Sequence, residues 1–252
     1  MIINQKGFGY SVLADNIGSS WIDSVDSVLQ NGVTSFDEGR MRLCLQSFRI
    51  KVNSHEYIDD KLVLKYGNQK NIQNILDLTF KDPVMTDIDV NPSFSDGAKS
   101  YYARIKEGKM LEFAAKRLSK IPESKKAIIV FPTYEDYTSV LENPWDDYLP
   151  CIVSVQFRMV PNGGSGSYKL NTVFYARSMD IYQKGLGNII AIAHMSEIVI
   201  ENIKKDTGRN IVLGFIEGFI ADVHIYSENI TEAQEMVIDS RMNTRLPNVL
   251  AV

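Results

Sequence analysis

Only two cysteines, Cys44 and Cys151, occur in the 252-residue chain. That is too few for a disulfide framework or a cysteine metal cage, and a reducing, cytoplasmic setting is the expectation. An excess of one charge sign is also missing. The 27 Lys and Arg against 31 Asp and Glu leave a formal net charge of −4, which argues against a nucleic-acid surface. No stretch reads as the run of about 18 apolar residues that a membrane span requires. The opening MIINQKGFGYSV has neither a basic nor an apolar signal region, so no secretory signal is expected. Repeats and low-complexity tracts are absent. Tryptophan is confined to Trp21 and Trp145.

What remains is ordinary globular material, 44% hydrophobic and 23% charged, long enough for one large core. A single domain over residues 1–252 is expected. Trp21, Ile22, Val25, Val28 and Leu29 share one helical face, and Gly32 follows as a stop signal. RMRLCLQSFRIKV predicts one or two strands, with Cys44 a buried apolar residue. The segment NIQNILDLTF is ambiguous, and 81–97, rich in Asp, Pro and Ser, predicts a long loop. A helix is expected over 107–121, ended by Pro122, then a buried strand in KKAIIVFPTY. CIVSVQFRMV and KLNTVFYA predict a hairpin through Asn-Gly-Gly-Ser-Gly. A helix over 188–205, a strand in IADVHIYSENI and a last helix to about Arg241, capped by Thr231 and Gln234, complete the chain. Without strict βαβ alternation, the layout is α+β.

Residues that bear chemistry are scattered, and each alone has an ordinary structural explanation. Cys151, directly after Pro150, is either a small apolar filler or a nucleophile presented at the mouth of a strand. His224 in DVHIY reads as a satisfied strand histidine, and Asn188 as the cap of its helix. Arg177, Ser178 and Asp180 fit a polar strand end, and Lys125 with Lys126 a solvated pair.

Their order is more informative. Pro150-Cys151, Gln156-Phe157, Arg177-Ser178, Asp180, Asn188 and His224-Ile225-Tyr226 follow one another at the spacing of the thymidylate synthase family. That family also contains the pyrimidine hydroxymethylases. The tail PNVLAV, ending in Val252, is similar to the family's short apolar C-terminus that closes over the active site. The resemblance implies a thymidylate synthase-like α+β fold, with a mixed sheet packed by helices and one sheet face forming a homodimer interface. It implies methylenetetrahydrofolate as cosubstrate, a dUMP-like nucleotide as substrate, and no metal, nucleic acid or membrane.

Roles carry over residue by residue. Cys151 adds to C6 of the pyrimidine as a thiolate, because C5 is a poor nucleophile until the ring becomes an enolate. Arg177 stabilises the thiolate and, with Ser178, binds phosphate. Lys125 and Lys126 of a partner subunit join them where relatives have an arginine pair, keeping the charge but not the fork. His224 and Tyr226, two apart on a strand, share a face and hold the sugar hydroxyl. Asn188 matches the N3–H and O4 edge of uracil better than that of cytosine. Gln156 matches the family without a distinct chemical role. Asp180 and Val252 face the folate, and Tyr101 is a proton relay.

The first half of the chain departs from the family. Its Arg-Thr-Gly-Thr loop is missing, with Arg40 or Arg42 of FDEGRMRL as the stand-in. The family's acid/base glutamate falls at Ile75, and Asp77 replaces it only if that helix is rotated. The tryptophans that normally follow it are absent. Three readings follow. One is a synthase making dTMP, and a second is a hydroxymethylase on dUMP or dCMP that uses water in place of hydride. The third is a nucleotide-binding homologue without catalysis.

Overall fold

The computed structural model describes residues 2–4, 9–37, 39–54, 57–88, 97–142, 148–163 and 166–245. Trp145, Val252 and residues 89–96 of the expected loop lie outside them. The first half runs β1 (Ile2–Asn4), β2 (Tyr10–Ala14), α1 (Ile17–Asn31), β3 (Val33–Asp37), β4 (Arg40–Val52), α2 (Lys61–Tyr66) and α3 (Gln69–Phe80). Then come α4 (Tyr101–Glu107), α5 (Met110–Lys120), β5 (Ile128–Val130) and α6 (Tyr134–Glu142). The last part holds β6 (Ile152–Pro161), β7 (Ser167–Ala176), β8 (Met179–Asp180), α7 (Leu186–Thr207), β9 (Asn210–Tyr226) and α8 (Ile230–Arg245). A π-helical turn, Ile181–Gly185, leads into α7.

Among the described residues one nine-stranded mixed sheet runs β1-β2-β4-β9-β7-β6-β5, with β3 on β4 and β8 on β9. The expected α+β class holds. One sheet face packs Phe48, Val155, Phe157, Phe174 and Ile220, all at most 1% exposed, into a single core with α1, α5 and α7. Such burial stabilises by roughly 1.5–3 kcal/mol per large side chain. The other face carries Val130, Ser154, Tyr175 and Phe219 in one hydrogen-bonded row. Val130, Tyr175 and Phe219 are at least 37% exposed there.

Several expectations need correction. The helix expected over 107–121 is α5, starting only at Met110, because Lys109 takes a left-handed φ of 48° and Gly108 closes the preceding, unexpected α4 on the Arg104 carbonyl. Leu111, Ala114, Ala115 and Leu118 still face inward. The α6 helix begins straight after the Phe-Pro-Thr that was expected to finish a strand. It buries none of its residues, so no apolar stripe announced it. Asn188 lies inside α7, and the cap of its helical run is Asp180, which accepts the N–H groups of Tyr182 and Gln183. The last helix starts at Ile230, ahead of the expected Thr231 cap. β9 is far longer than expected, since Gly214 and Gly218 obscured it. Gly218 is required there, as the Phe174 ring lies 2.1 Å from where its Cβ would be. The continuous helical run 181–207 is long and apolar enough to cross a membrane, but 67% of its most apolar window is buried within the protein. It is the core helix.

Candidate active site

A cleft with about 1010 Å³ of space, open solvent at its mouth included, lies where the ends of β7, β8 and β9 meet α3, α4 and the start of α7. Eight residues singled out in the sequence line it: Cys151, Arg177, Ser178, Asp180, Asn188, His224, Tyr226 and Tyr101. They come from segments up to 125 residues apart, joined by sheet register. Asp180 pairs with His224 between β8 and β9, and Ile152 with Ala176 between β6 and β7. Cys151 and Arg177 thereby flank one strand junction, and the Arg177 N–H donates to the Cys151 carbonyl at 2.9 Å.

Cys151 is partly exposed to the cleft, whereas Cys44 is buried at 4% beside the Ser35 hydroxyl. The Arg177 guanidinium donates to the Leu149 and Pro150 carbonyls at 2.7 and 3.2 Å. Those bonds fix its cation beside the segment that carries the thiol. Ile152, next to Cys151, donates its N–H to the Tyr101 hydroxyl at 2.9 Å. Burial, followed by the nearby Cys151, pushes the Tyr101 phenol well above its ordinary range. Burial and then Tyr101 do the same to Tyr148, so both phenols stay neutral at working pH.

At the other end, His224 and Tyr226 meet edge to face, with ring centroids 4.9 Å apart. His224 Nδ1 lies 3.2 Å from Asp222 Oδ1, 3.1 Å from Arg42 Nη1 and 3.5 Å from the Ser178 hydroxyl of the cleft. Arg42 also grips both Asp222 oxygens, at 2.6 and 3.2 Å. Burial alone raises Asp222, but the His224 hydrogen bond and the Arg42 charge outweigh it and hold the carboxyl below its ordinary range. The Tyr226 hydroxyl donates to Asp37 Oδ2 at 3.1 Å. The Asn188 side chain is only 9% exposed and makes no hydrogen bond among the described residues. Its carboxamide is therefore available to a ligand.

Other expected residues lie elsewhere. Asp77 lines a surface depression that adjoins the cleft at Leu78, Thr86 and Ile88, and it accepts from Gln73 at 3.0 Å. The face of α3 toward the cleft is Ile75, Leu78 and Thr79, so the helix is not rotated to bring Asp77 in. Arg40 stacks on the Tyr226 ring, 3.6 Å from its centroid, and pairs with Glu228 behind the cleft wall. Arg42 is committed to Asp222. Neither arginine lines the cleft as the expected phosphate stand-in. Lys125 and Lys126 are exposed ahead of β5, and Gln156 donates to the Lys125 carbonyl at 2.8 Å, all outside this cleft.

Among the lining residues that escaped the sequence reading are Asp37, Tyr148 and Lys184. Tyr148 stood three residues before the thiol. Lys184, paired with Asp87 at 3.6 Å, stood in the KGLGN departure from the family pattern. Asp180 spends its two oxygens on Tyr182, Gln183 and the Gln183 side chain, so here it shapes the turn that presents Lys184 and Asn188.

No curated protein matches the chain. A family model described as thymidylate synthase matches residues 89–250, nearly two thirds of the sequence and every cleft residue from Tyr101 onward. The chain belongs to the thymidylate synthase family, whose chemistry is one-carbon transfer to a uracil nucleotide.

Proposed function

We propose that the chain catalyses folate-dependent C5 methylation of dUMP through a covalent Cys151 adduct at C6. The observation that carries this reading is the convergence of Cys151, Arg177, Asn188, His224 and Tyr226 on one cleft. Arg177 holds positive charge beside the thiol segment, which favours the thiolate needed for attack. Addition at C6 moves the C5=C6 electron pair toward O4, and C5 becomes the nucleophile. Asn188 offers one acceptor and one donor to the uracil edge. Ser178 with Arg177 supplies phosphate contacts, and His224 with Tyr226 the sugar contact.

Methylenetetrahydrofolate supplies the one-carbon unit and the hydride when bound. The apolar side chains Ile75, Leu78 and Ile88 of the lining would hold its flat ring. Val252 would contribute from the C-terminus. A homodimer through the open sheet face completes the reading, with Lys125 and Lys126 reaching the partner's phosphate. The exposed Val130, Tyr175 and Phe219 support that face as the contact.

The hydroxyls of Tyr101, Tyr148 and Thr79 favour a second reading, in which water replaces hydride and the product is hydroxymethyl. One assay separates them: [5-³H]-dUMP with methylenetetrahydrofolate, following tritium release and dihydrofolate absorbance. Tritium with dihydrofolate is expected for the synthase, and tritium alone for the hydroxymethylase. Nucleotide binding with neither signal leaves a binding protein. Cys151→Ser must abolish release, or the nucleophile is misassigned.

A further inference from the structure

The segment expected to supply a phosphate-binding arginine presents a carboxylate to the cleft instead. Asp37, the last residue of β3, lines the cleft with His224 and Tyr226, and its side chain is 40% exposed. One oxygen, Oδ2, accepts from the Tyr226 hydroxyl at 3.1 Å and lies 3.9 Å from Arg42 Nη1. The other, Oδ1, makes no hydrogen bond among the described residues. Half of a tethered carboxylate is therefore unspent on a residue of the cleft. A carboxylate can only accept, so the phenol is the donor. Tyr226 thus gives its single proton to Asp37 and has none for a ligand.

The neighbours of Asp37 order this part of the site. The Ser178 hydroxyl lies 3.5 Å from His224 Nδ1, the His224 and Tyr226 rings meet at 4.9 Å, and Tyr226 reaches Asp37. With phosphate at Ser178 and the sugar at His224 and Tyr226, Asp37 stands at the far side of the sugar. A hydroxyl placed there has to donate, because Tyr226 and Asp37 can only accept from it.

We propose that Asp37 is a specificity-determining residue that accepts from the 2′- and 3′-hydroxyls of a ribose, so that the cleft takes a uracil ribonucleotide in preference to its 2′-deoxy form. Oδ1 has two lone-pair sites and Oδ2 keeps one beside the Tyr226 bond, enough for both hydroxyl protons. A 2′-deoxy sugar fills one of these sites and leaves the rest to water. The C5 chemistry is the same for either sugar, since the 2′ carbon takes no part in it. The placement of phosphate and sugar rests on the function proposed above; the unspent carboxylate oxygen does not.

The test is calorimetric titration of the full chain with UMP and dUMP, without folate. Wild type should bind UMP roughly three- to tenfold more tightly, the scale of one hydrogen bond to a charged acceptor at a partly exposed position. Asp37→Ala should bring the two dissociation constants within about twofold of each other, chiefly by weakening UMP. A ligand-side control needs no variant: 2′-O-methyl-UMP, whose 2′ oxygen has no proton to donate, should bind wild type no more tightly than dUMP. A wild-type preference for dUMP, 2′-O-methyl-UMP binding as tightly as UMP, or a UMP-to-dUMP ratio unchanged in Asp37→Ala would each overturn the proposal. Wild type that binds neither nucleotide overturns it together with the proposed function. A UMP preference abolished by Asp37→Ala, with no tritium release from either 5-³H nucleotide, overturns the proposed catalysis and leaves the sugar assignment standing.

Discussion

Ile75 projects into the cleft from α3, while Asp77, two residues on, points away from it toward Gln73 and Lys81. Two residues of α-helix turn the side-chain direction by about 200°, so one helix cannot present both to the same site. Asp77 therefore faces the adjoining depression, which meets the cleft at Leu78, Thr86 and Ile88, and not the cleft that holds Cys151. Asp77→Asn should leave kcat and KM within about twofold, as expected for a surface change away from special features. A hundredfold fall in tritium release from [5-³H]-dUMP would instead make Asp77 a participant.

The same Ile75 is locked in place by a glycine. A Cβ on Gly187 would lie 2.5 Å from Ile75 Cδ1 and 3.2 Å from its Cβ. Gly187→Ala should destabilise by about 1–3 kcal/mol through overpacking and press Ile75 further into the cleft. Ile75→Val removes the nearest carbon. Combining the two should recover much of the loss in denaturant midpoint, and purely additive losses would separate Gly187 from Ile75.

This contact explains why the site was only half legible in the sequence. Cys151, Arg177 and His224 lie on or beside strand ends whose spacing is set by sheet register, and register leaves a readable pattern in the chain. The wall opposite comes from α3, whose apolar positions look the same whether they face a core or a cleft. Tyr148 sits in an irregular segment and Lys184 in a single π-helical turn, and neither leaves a periodic signal in the chain. Likewise the open face of the sheet needed β9 at full length, and its glycines hid it.

Asp222 makes acid stability a measurable property of the site. Its folded-state carboxyl is held below the ordinary value of about 4, so the native state binds fewer protons there than the unfolded state. That stabilisation is complete above the unfolded value and disappears as pH falls through the depressed folded one. Urea melts of wild type and Asp222→Asn should differ most above about pH 5 and converge in stronger acid. A difference that grows on acidification would contradict the Arg42–Asp222–His224 cluster as described.

Asn188 should set nucleotide preference less firmly than a fixed amide would. No group among the described residues anchors its carboxamide, so it can turn either edge to the ligand. Calorimetric titration with dUMP and dCMP should show a ratio of dissociation constants of about tenfold or less, below what a fully oriented pair yields. Asn188→Asp should then move both binding and turnover toward dCMP. An unchanged ratio in the variant would remove Asn188 from the selection of the base.

The open sheet face supports a prediction about assembly. Tyr175 and Phe219 stack at 5.9 Å on that face, and each is at least 37% exposed, with Val130 in the same row. Such a patch is costly on a lone chain and suits a second copy. Sedimentation of wild type should give twice the chain mass, and Phe219→Asp, which places a charge against the Tyr175 ring, should give one. If Lys125 and Lys126 serve the partner's nucleotide, the monomeric variant should also lose most of its dUMP affinity although its own cleft is intact. Mixing Cys151→Ser with a Lys125→Ala, Lys126→Ala chain carries the argument further. A mixed dimer has one cleft with both its own cysteine and the partner's lysines, so activity should reappear on mixing two nearly inactive proteins. Absence of that recovery, in dimers shown to exchange subunits, would confine each cleft to the residues of its own chain.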